Sequence, residues 1–142
     1  MSILRQPEKA IALRLLNAAH LPTEDISDAL LQNFWGYEAD SGIVALVGLE
    51  PFARVGLLRS LAVHPAHRGA GIGTRLVRHV EAMARQMGIG ELFLLTSTAQ
   101  EFFEGLGYAL SKRRDAPREI RSTREFAELC PASSLLMKKA LG

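Results

Sequence analysis

The residues whose types and spacing best suit chemistry lie between positions 61 and 76, LAVHPAHRGAGIGTRL. An apolar run ends at Val63, a turn with glycines at 69, 71 and 73 follows, and a helical pattern begins near Gly71. Glycine takes positive φ at little steric cost and lets a ligand come close to the backbone. The first amides of a helix have no partner inside it and stand at the positive end of its dipole. Together these features make an anion site suited to a phosphate or pyrophosphate. The spacing is G-x-G-x-G. It is neither the G-x-G-x-x-G of dinucleotide-binding turns nor a P-loop, because no Lys-Ser or Lys-Thr pair follows.

Arg59 is the second residue of chemical interest. It stands among apolar neighbours in the run 55–63, where an unpaired charge would be costly. Strict alternation puts it on the face of Leu57. Its guanidinium fork suits a substrate carboxylate, and a structural ion pair with a strand neighbour such as Glu50 satisfies it equally well. A bulge in the strand would change its face.

Around these residues the hydrophobic pattern sets out the elements. A short strand is expected at residues 2–5 and an amphipathic helix at 8–19, with Pro7 at its start and Ile11, Leu15 and Ala18 on one face. Leu21-Pro22 stops it. Thr23, followed by two acids, reads as the cap of a second short helix running to Gln32. Aromatic residues 34–39, the apolar run 43–49 and residues 55–63 read as three strands of an antiparallel meander, with Asp40-Ser41-Gly42 as a turn and Pro51 breaking the second strand. In the helix after the glycine turn, Leu76, Val80, Met83 and Met87 form the apolar stripe, and Arg75, Arg78, Glu81 and Arg85 take the polar face. The run 91–96 is a strand buried on both faces. A short helix at 99–106, a strand from Tyr108, a helix at 119–129 capped by Ser122 or Thr123, and a last strand at 133–139 complete a single α/β domain over residues 1–142.

The 142 residues suffice for one core. Formal net charge is +2, and the basic residues are spread along the chain, which argues against nucleic-acid binding but suits an anionic ligand. No apolar run approaches the roughly 20 residues that span a bilayer. Cys130 is the only cysteine, so an internal disulfide is excluded and a reducing, cytoplasmic setting is expected. No metal site is expected. Trp35 and the last strand, if exposed, are the candidate surfaces for a homodimer.

Arg68, Gly71 and Gly73, following Leu-x-Val-x-Pro and preceding an amphipathic helix, resemble the R/Q-x-x-G-x-G/A signature of the GCN5-related N-acetyltransferases. The element order resembles that fold over the whole chain: a mixed, mostly antiparallel twisted sheet flanked by helices and splayed between strands 4 and 5. The resemblance implies acetyl-coenzyme A as co-substrate. Residues 68–74, that is Arg68, Gly69, Ala70, Gly71, Ile72, Gly73 and Thr74, would hold its pyrophosphate. The backbone of Leu61, Ala62 and Val63 would hold the pantetheine arm, with the Leu61 amide as donor to the thioester oxygen. One such donor is worth about 3 kcal/mol. Ala99-Gln100-Glu101-Phe102-Phe103-Glu104-Gly105-Leu106-Gly107-Tyr108 is similar to a second family segment, A-x-x-F-Y-x-x-x-G-F/Y, which puts Phe102 and Phe103 at the cofactor.

Two departures matter. Many relatives have a tyrosine at Phe103 that protonates the leaving thiolate; Tyr108, Ser97 and Thr98 are the remaining donors, with Tyr108 better suited to the core. A thiol of pKa about 8.5 also leaves readily unaided. Some relatives carry a glutamate as base at the position of Leu57; Glu50, Glu38, His20 and His64 are the substitutes, His64 doubling as a shaper of the turn. Residues 92–96 with Phe102-Phe103 resemble N-acetylglutamate synthase acetyltransferase domains. The tail, from Arg113 and Asp115 through Thr123 and Phe126 to Cys130-Pro131, resembles small bacterial arsenic-resistance-type N-acetyltransferases. The implied acceptor is a small amine, an amino acid or amino-acid-like toxin. A protein amine as acceptor, and a non-catalytic acetyl-coenzyme A sensor, are the alternatives.

Overall fold

The computed structural model describes residues 2–142. Its elements are β1 (Ser2–Arg5), α1 (Lys9–Ala18), α2 (Asp28–Leu31), β2 (Phe34–Ala39), β3 (Gly42–Phe52), β4 (Val55–Val63), α3 (Ile72–Gln86), β5 (Glu91–Thr96), α4 (Gln100–Gly105), β6 (Ala109–Ser111), α5 (Arg118–Arg121) and β7 (Leu135–Ala140). Seven strands form one sheet in the order β1-β2-β3-β4-β5-β7-β6. No helix among the described residues is long and apolar enough to cross a membrane.

The chain divides into two compact units. The first comprises the segment ending at Glu50 together with Arg59–Val80. In it β1 and β2 pair antiparallel from Ser2↔Glu38 to Arg5↔Trp35, and β2 and β3 pair antiparallel with a register shift at Tyr37/Glu38. The core joins Ala12, Leu15 and Leu16 of α1 to Ile26, Leu31, Phe34, Leu46 and Ala62. The spacing 12, 15, 16 is one helical face. The second helix is shorter than expected, because Ser27 rather than Thr23 caps it: the Ser27 hydroxyl accepts from the Leu30 amide at 3.1 Å. Trp35 is 2% exposed, its ring edge-on to His79 at 5.7 Å with the Arg5 guanidinium over it, so it offers no surface for a second protomer.

The second unit comprises Pro51–Leu58 and Glu81–Gly142. Pro51 does not end β3, which runs to Phe52, because proline's fixed φ fits extended backbone. The parallel pairing of β4 with β5 runs over Val55↔Glu91, Gly56↔Leu92 and Leu57↔Phe93, at the starts of both strands. β7 lies between β5 and β6, antiparallel to both, so the last strand is interior and presents no edge for dimer pairing. A core of Leu57, Phe93, Ala116, Ile120 and Leu136 supports it.

The expected helix at 119–129 is broken. α5 stops at Arg121, and a π-helical turn covers Glu125–Leu129. Thr123 divides them: its hydroxyl donates to the Ile120 carbonyl at 2.7 Å and accepts from the Phe126 amide at 3.3 Å. Such local bonds offer the backbone an alternative to continued helix. Cys130 is half-buried rather than enclosed.

Glu81 departs furthest from the sequence reading. It stands at i+4 from Val77 and i−3 from Ala84, on the stripe that α3 buries, and is 1% exposed. Its Oε2 accepts from the Tyr108 hydroxyl at 2.9 Å and from Lys139 Nζ at 3.0 Å. Lys139 Nζ also donates to the Leu106 carbonyl at 2.8 Å. Met87, assigned to the stripe, lies beyond the helix end and is exposed.

Candidate acyl-transfer site

The glycine turn is built from strand, cap and helix in succession. The His64 amide donates to the Val44 carbonyl at 2.7 Å, holding the end of β4 against β3. The imidazole Nδ1 of His64 then accepts from the Ala66 amide at 3.1 Å, capping a single 3₁₀ turn over Pro65–His67. His64 therefore shapes the turn. Arg68 Nε folds back onto the Val63 carbonyl at 3.2 Å. Gly69 and Gly71 have φ of +85° and +78°, in the left-handed region. A Cβ at either would meet nothing within 4 Å, so conformation alone demands glycine there. The Arg75 amide reaches the Gly71 carbonyl at 3.1 Å, which leaves the amides of Ile72, Gly73 and Thr74 without a carbonyl inside the helix. No acidic side chain stands in the first turn of α3. An anion there meets amide hydrogens and the positive end of the helix dipole. The residues present thus suit the pyrophosphate of a coenzyme A.

Beside this turn a groove of about 380 Å³ is lined by Tyr37, Asp40, Ser41, His67, Ala70 and Arg75, among others. Arg75 donates to the Tyr37 hydroxyl at 2.9 Å across it. Before the turn, the alternation of β4 is interrupted at Ser60, whose φ is +60°. A non-glycine residue pays roughly 1–2 kcal/mol for that conformation. After it, Ala62 is buried in the α1 core, while Leu61 and Val63 are half-exposed.

Arg59 lies immediately before that interruption and is 2% exposed. Its NH1 donates to Asp25 Oδ2 at 2.5 Å and to Glu50 Oε2 at 2.8 Å, its NH2 to Asp25 Oδ1 at 2.9 Å and its Nε to Ser60 Oγ at 3.0 Å. The ion pair with Glu50 is present. The second and closer partner, Asp25, was missed. The sequence signal for it was Arg59 itself: a guanidinium in an apolar strand demands carboxylates, and the acids after Thr23 were read as decoration of a helix start.

The other base candidates lie elsewhere in this unit. Glu38 is exposed on β2, near the Ser2 hydroxyl at 3.4 Å. His20 is exposed, with φ +58°, and closes α1.

In the second unit, Phe103 is buried, edge-on to Tyr108 at 5.7 Å, whereas Phe102 is exposed. Phe102 lines an open groove of about 610 Å³ with Ser97, Thr98, Ala99, Gln100, Glu101 and Leu135. Tyr108 is 2% exposed and gives its hydroxyl hydrogen to Glu81. Burial lowers the pKa of His79 below 6.5. No group of His, Cys, Asp and Glu that could hold a metal exists among the described residues.

A family profile described as an acetyltransferase (GNAT) domain matches residues 31–110. Among curated proteins, the amino-acid acetyltransferase of Ralstonia nicotianae is 34% identical over 111 residues, 77% of this chain and 24% of that protein. The amino-acid acetyltransferase of Pseudomonas putida strain GB-1 is 34% identical over 121 residues, 84% of this chain and 27% of that protein. The chain thus spans about a quarter of the length of these relatives. Among solved structures, N-acetylglutamate synthase from Neisseria gonorrhoeae, complexed with coenzyme A and N-acetyl-glutamate, has a TM-score of 0.83 at 23% identity over 99% of this chain and 35% of that one. Rv2747 from Mycobacterium tuberculosis, in complex with CoA, scores 0.79 at 20% identity over 99% of each chain. Tetrahymena GCN5 scores 0.73 at 14% identity over 100% of this chain and 97% of its own. At these identities the superpositions establish a shared fold.

Proposed function

The chain belongs to the GNAT acetyltransferases, and on that premise we propose that it moves the acetyl group of acetyl-coenzyme A onto the amine of a small amino-acid-like acceptor, both bound together on one catalytic domain. The observation that carries this reading is the turn at 68–74. Two left-handed glycines lead into a run of helix-opening amides, and the first turn of the helix holds no acidic residue. Acetyl-coenzyme A brings the thioester and leaves as coenzyme A thiolate once the amine holds the acetyl group; the chain's own groups bind, orient and take the amine's proton. Arg68, Gly69, Ala70, Gly71, Ile72, Gly73 and Thr74 hold the pyrophosphate. The backbone of Leu61, Ala62 and Val63 lines the pantetheine arm, and the Leu61 amide donates to the carbonyl oxygen as negative charge develops on it, an effect of about 3 kcal/mol. Glu50 is the base candidate of this reading, and it accepts a hydrogen bond from Arg59. Tyr108, which already donates to Glu81, is not needed as an acid, because a thiolate leaves without one near its pKa of about 8.5.

The names of the curated relatives, amino-acid acetyltransferases, support an amino acid as acceptor class. A reducing cytoplasm suits the single cysteine and the thioester donor.

The test is a calorimetric titration of coenzyme A into the protein and its Gly71→Glu variant. A carboxylate at Gly71 opposes the anion and strains a φ of +78°. Affinity is expected to fall at least 10-fold; equal affinity in the two proteins overturns the assignment of this turn.

A further inference from the structure

Resting on the acceptor reading above, we propose that Arg59 is a carboxylate-binding site whose occupant in the free protein is Asp25, and that the carboxylate of the acceptor takes Asp25's place.

The geometry is that of a guest carboxylate. Asp25 meets the guanidinium end-on, its two oxygens 2.5 and 2.9 Å from NH1 and NH2. A free amino acid's carboxylate binds an arginine by the same fork. Asp25 comes from the irregular stretch between α1 and α2, two residues before the Ser27 cap. Its neighbour Ile26 is 5% exposed and belongs to the α1 core, so the stretch stays anchored while the Asp25 side chain turns away.

Charge makes the exchange feasible. Arg59 carries one positive charge, and two carboxylates face it. A purely structural pair needs one. Losing the sole partner of a buried charge is severely unfavourable. Here Glu50 lies 2.8 Å from the guanidinium, so Arg59 is not left alone during the exchange. Replacing Asp25 by an external carboxylate also leaves the count of charges on the guanidinium unchanged.

Asp25 then acts as a selectivity filter. An amine without a carboxylate cannot take the fork and meets the Asp25-bound form. An amino acid competes for it, with its apparent affinity lowered by the fraction of time Asp25 occupies the site.

Sodium acetate is the probe. Thermal unfolding of the wild type and Asp25→Ala is followed with acetate, with chloride at equal ionic strength, and with methylammonium chloride. Acetate is expected to raise the melting temperature of Asp25→Ala alone and to recover at least half of what the substitution lost; methylammonium is expected to act no differently from chloride. Against the amino acid that turns over fastest in a thiol-release assay, the inhibition constant of acetate is expected to be at least 10-fold lower for Asp25→Ala than for the wild type. If Asp25→Ala is recovered only unfolded, refolding yield in acetate against chloride is read the same way. No effect of acetate beyond chloride overturns the site. Stabilisation with an unchanged inhibition constant overturns the exchange, since it marks a structural pair. Coenzyme A binding, measured separately on the wild type, reports on the acetyltransferase reading: its absence beside an intact acetate effect defeats that reading while Arg59 remains a carboxylate site.

Discussion

Replacing Glu81 by leucine removes a carboxylate that accepts from both Lys139 and the Tyr108 hydroxyl. The Glu81 side chain is 1% exposed and that of Lys139 16%, so the pair is largely shielded from water. Breaking a buried ion pair from one side costs about 3–5 kcal/mol. The lower figure applies, because Lys139 keeps the Leu106 carbonyl at 2.8 Å and some solvent. For 142 residues the unfolding entropy near the midpoint is about 0.3 kcal/mol/K, so 3 kcal/mol lowers the melting temperature by about 10 °C. Lys139→Met is expected to destabilise similarly, by taking the ammonium from the buried Glu81 carboxylate. The double variant Glu81→Leu/Lys139→Met restores an apolar pair of like volume and is expected to lose less than either single change. Urea unfolding of all four proteins measures the cycle. Losses under 1 kcal/mol for both single variants, or a double variant as unstable as their sum, would refute the reasoning that the pair is buried and mutually dependent.

Further outcomes follow from single contacts. At Gly48, a Cβ would lie 2.3 Å from two ring atoms of Phe34, which is wholly buried; Gly48→Ala is expected to destabilise by roughly 3 kcal/mol in chemical unfolding, as overpacking does. Arg113 donates to the Ser134 carbonyl and hydroxyl and lies 4.3 Å over the Phe126 ring; Arg113→Ala is expected to cost about 2 kcal/mol and to hasten amide exchange at Glu125–Leu129. Burial holds His79 below 6.5, so the unfolded chain takes up its proton first as pH falls. Stability from this group is complete above pH 6.5 and declines below it. Unfolding at pH 7.5 and 5.5 is expected to show a smaller loss for His79→Gln than for the wild type.

Much of this architecture is written in local pattern. Glycines at 69, 71 and 73, an apolar strand before them and a 3.6-period stripe after them specify strand, turn and helix without long-range information, and the structure places all three. The α1 face and the doubly buried β5 follow from the same periodicities. Charged residues in the interior were the part not legible. Glu81 looks like a surface residue by type and is buried by position; its partners Tyr108 and Lys139 are 27 and 58 residues away. Asp25 and Arg59 are 34 apart, and nothing local links them. Trp35 and the last strand were misjudged for a related reason. Their burial depends on α3 crossing β2 and on β6 closing outside β7, facts of topology rather than composition.

The acyl-transfer reading rests on turnover, and one assay addresses it: release of free thiol from acetyl-coenzyme A by the intact chain, against a panel of amino acids, amino-acid-like toxins including arsenic-containing ones, and their decarboxylated amines. Thiol release that depends on a carboxylate-bearing amine, and that is lost in Gly71→Glu, is the expected result. Coenzyme A bound tightly with no thiol released to any small amine would contradict it, and would point to a sensor or to a protein amine as acceptor.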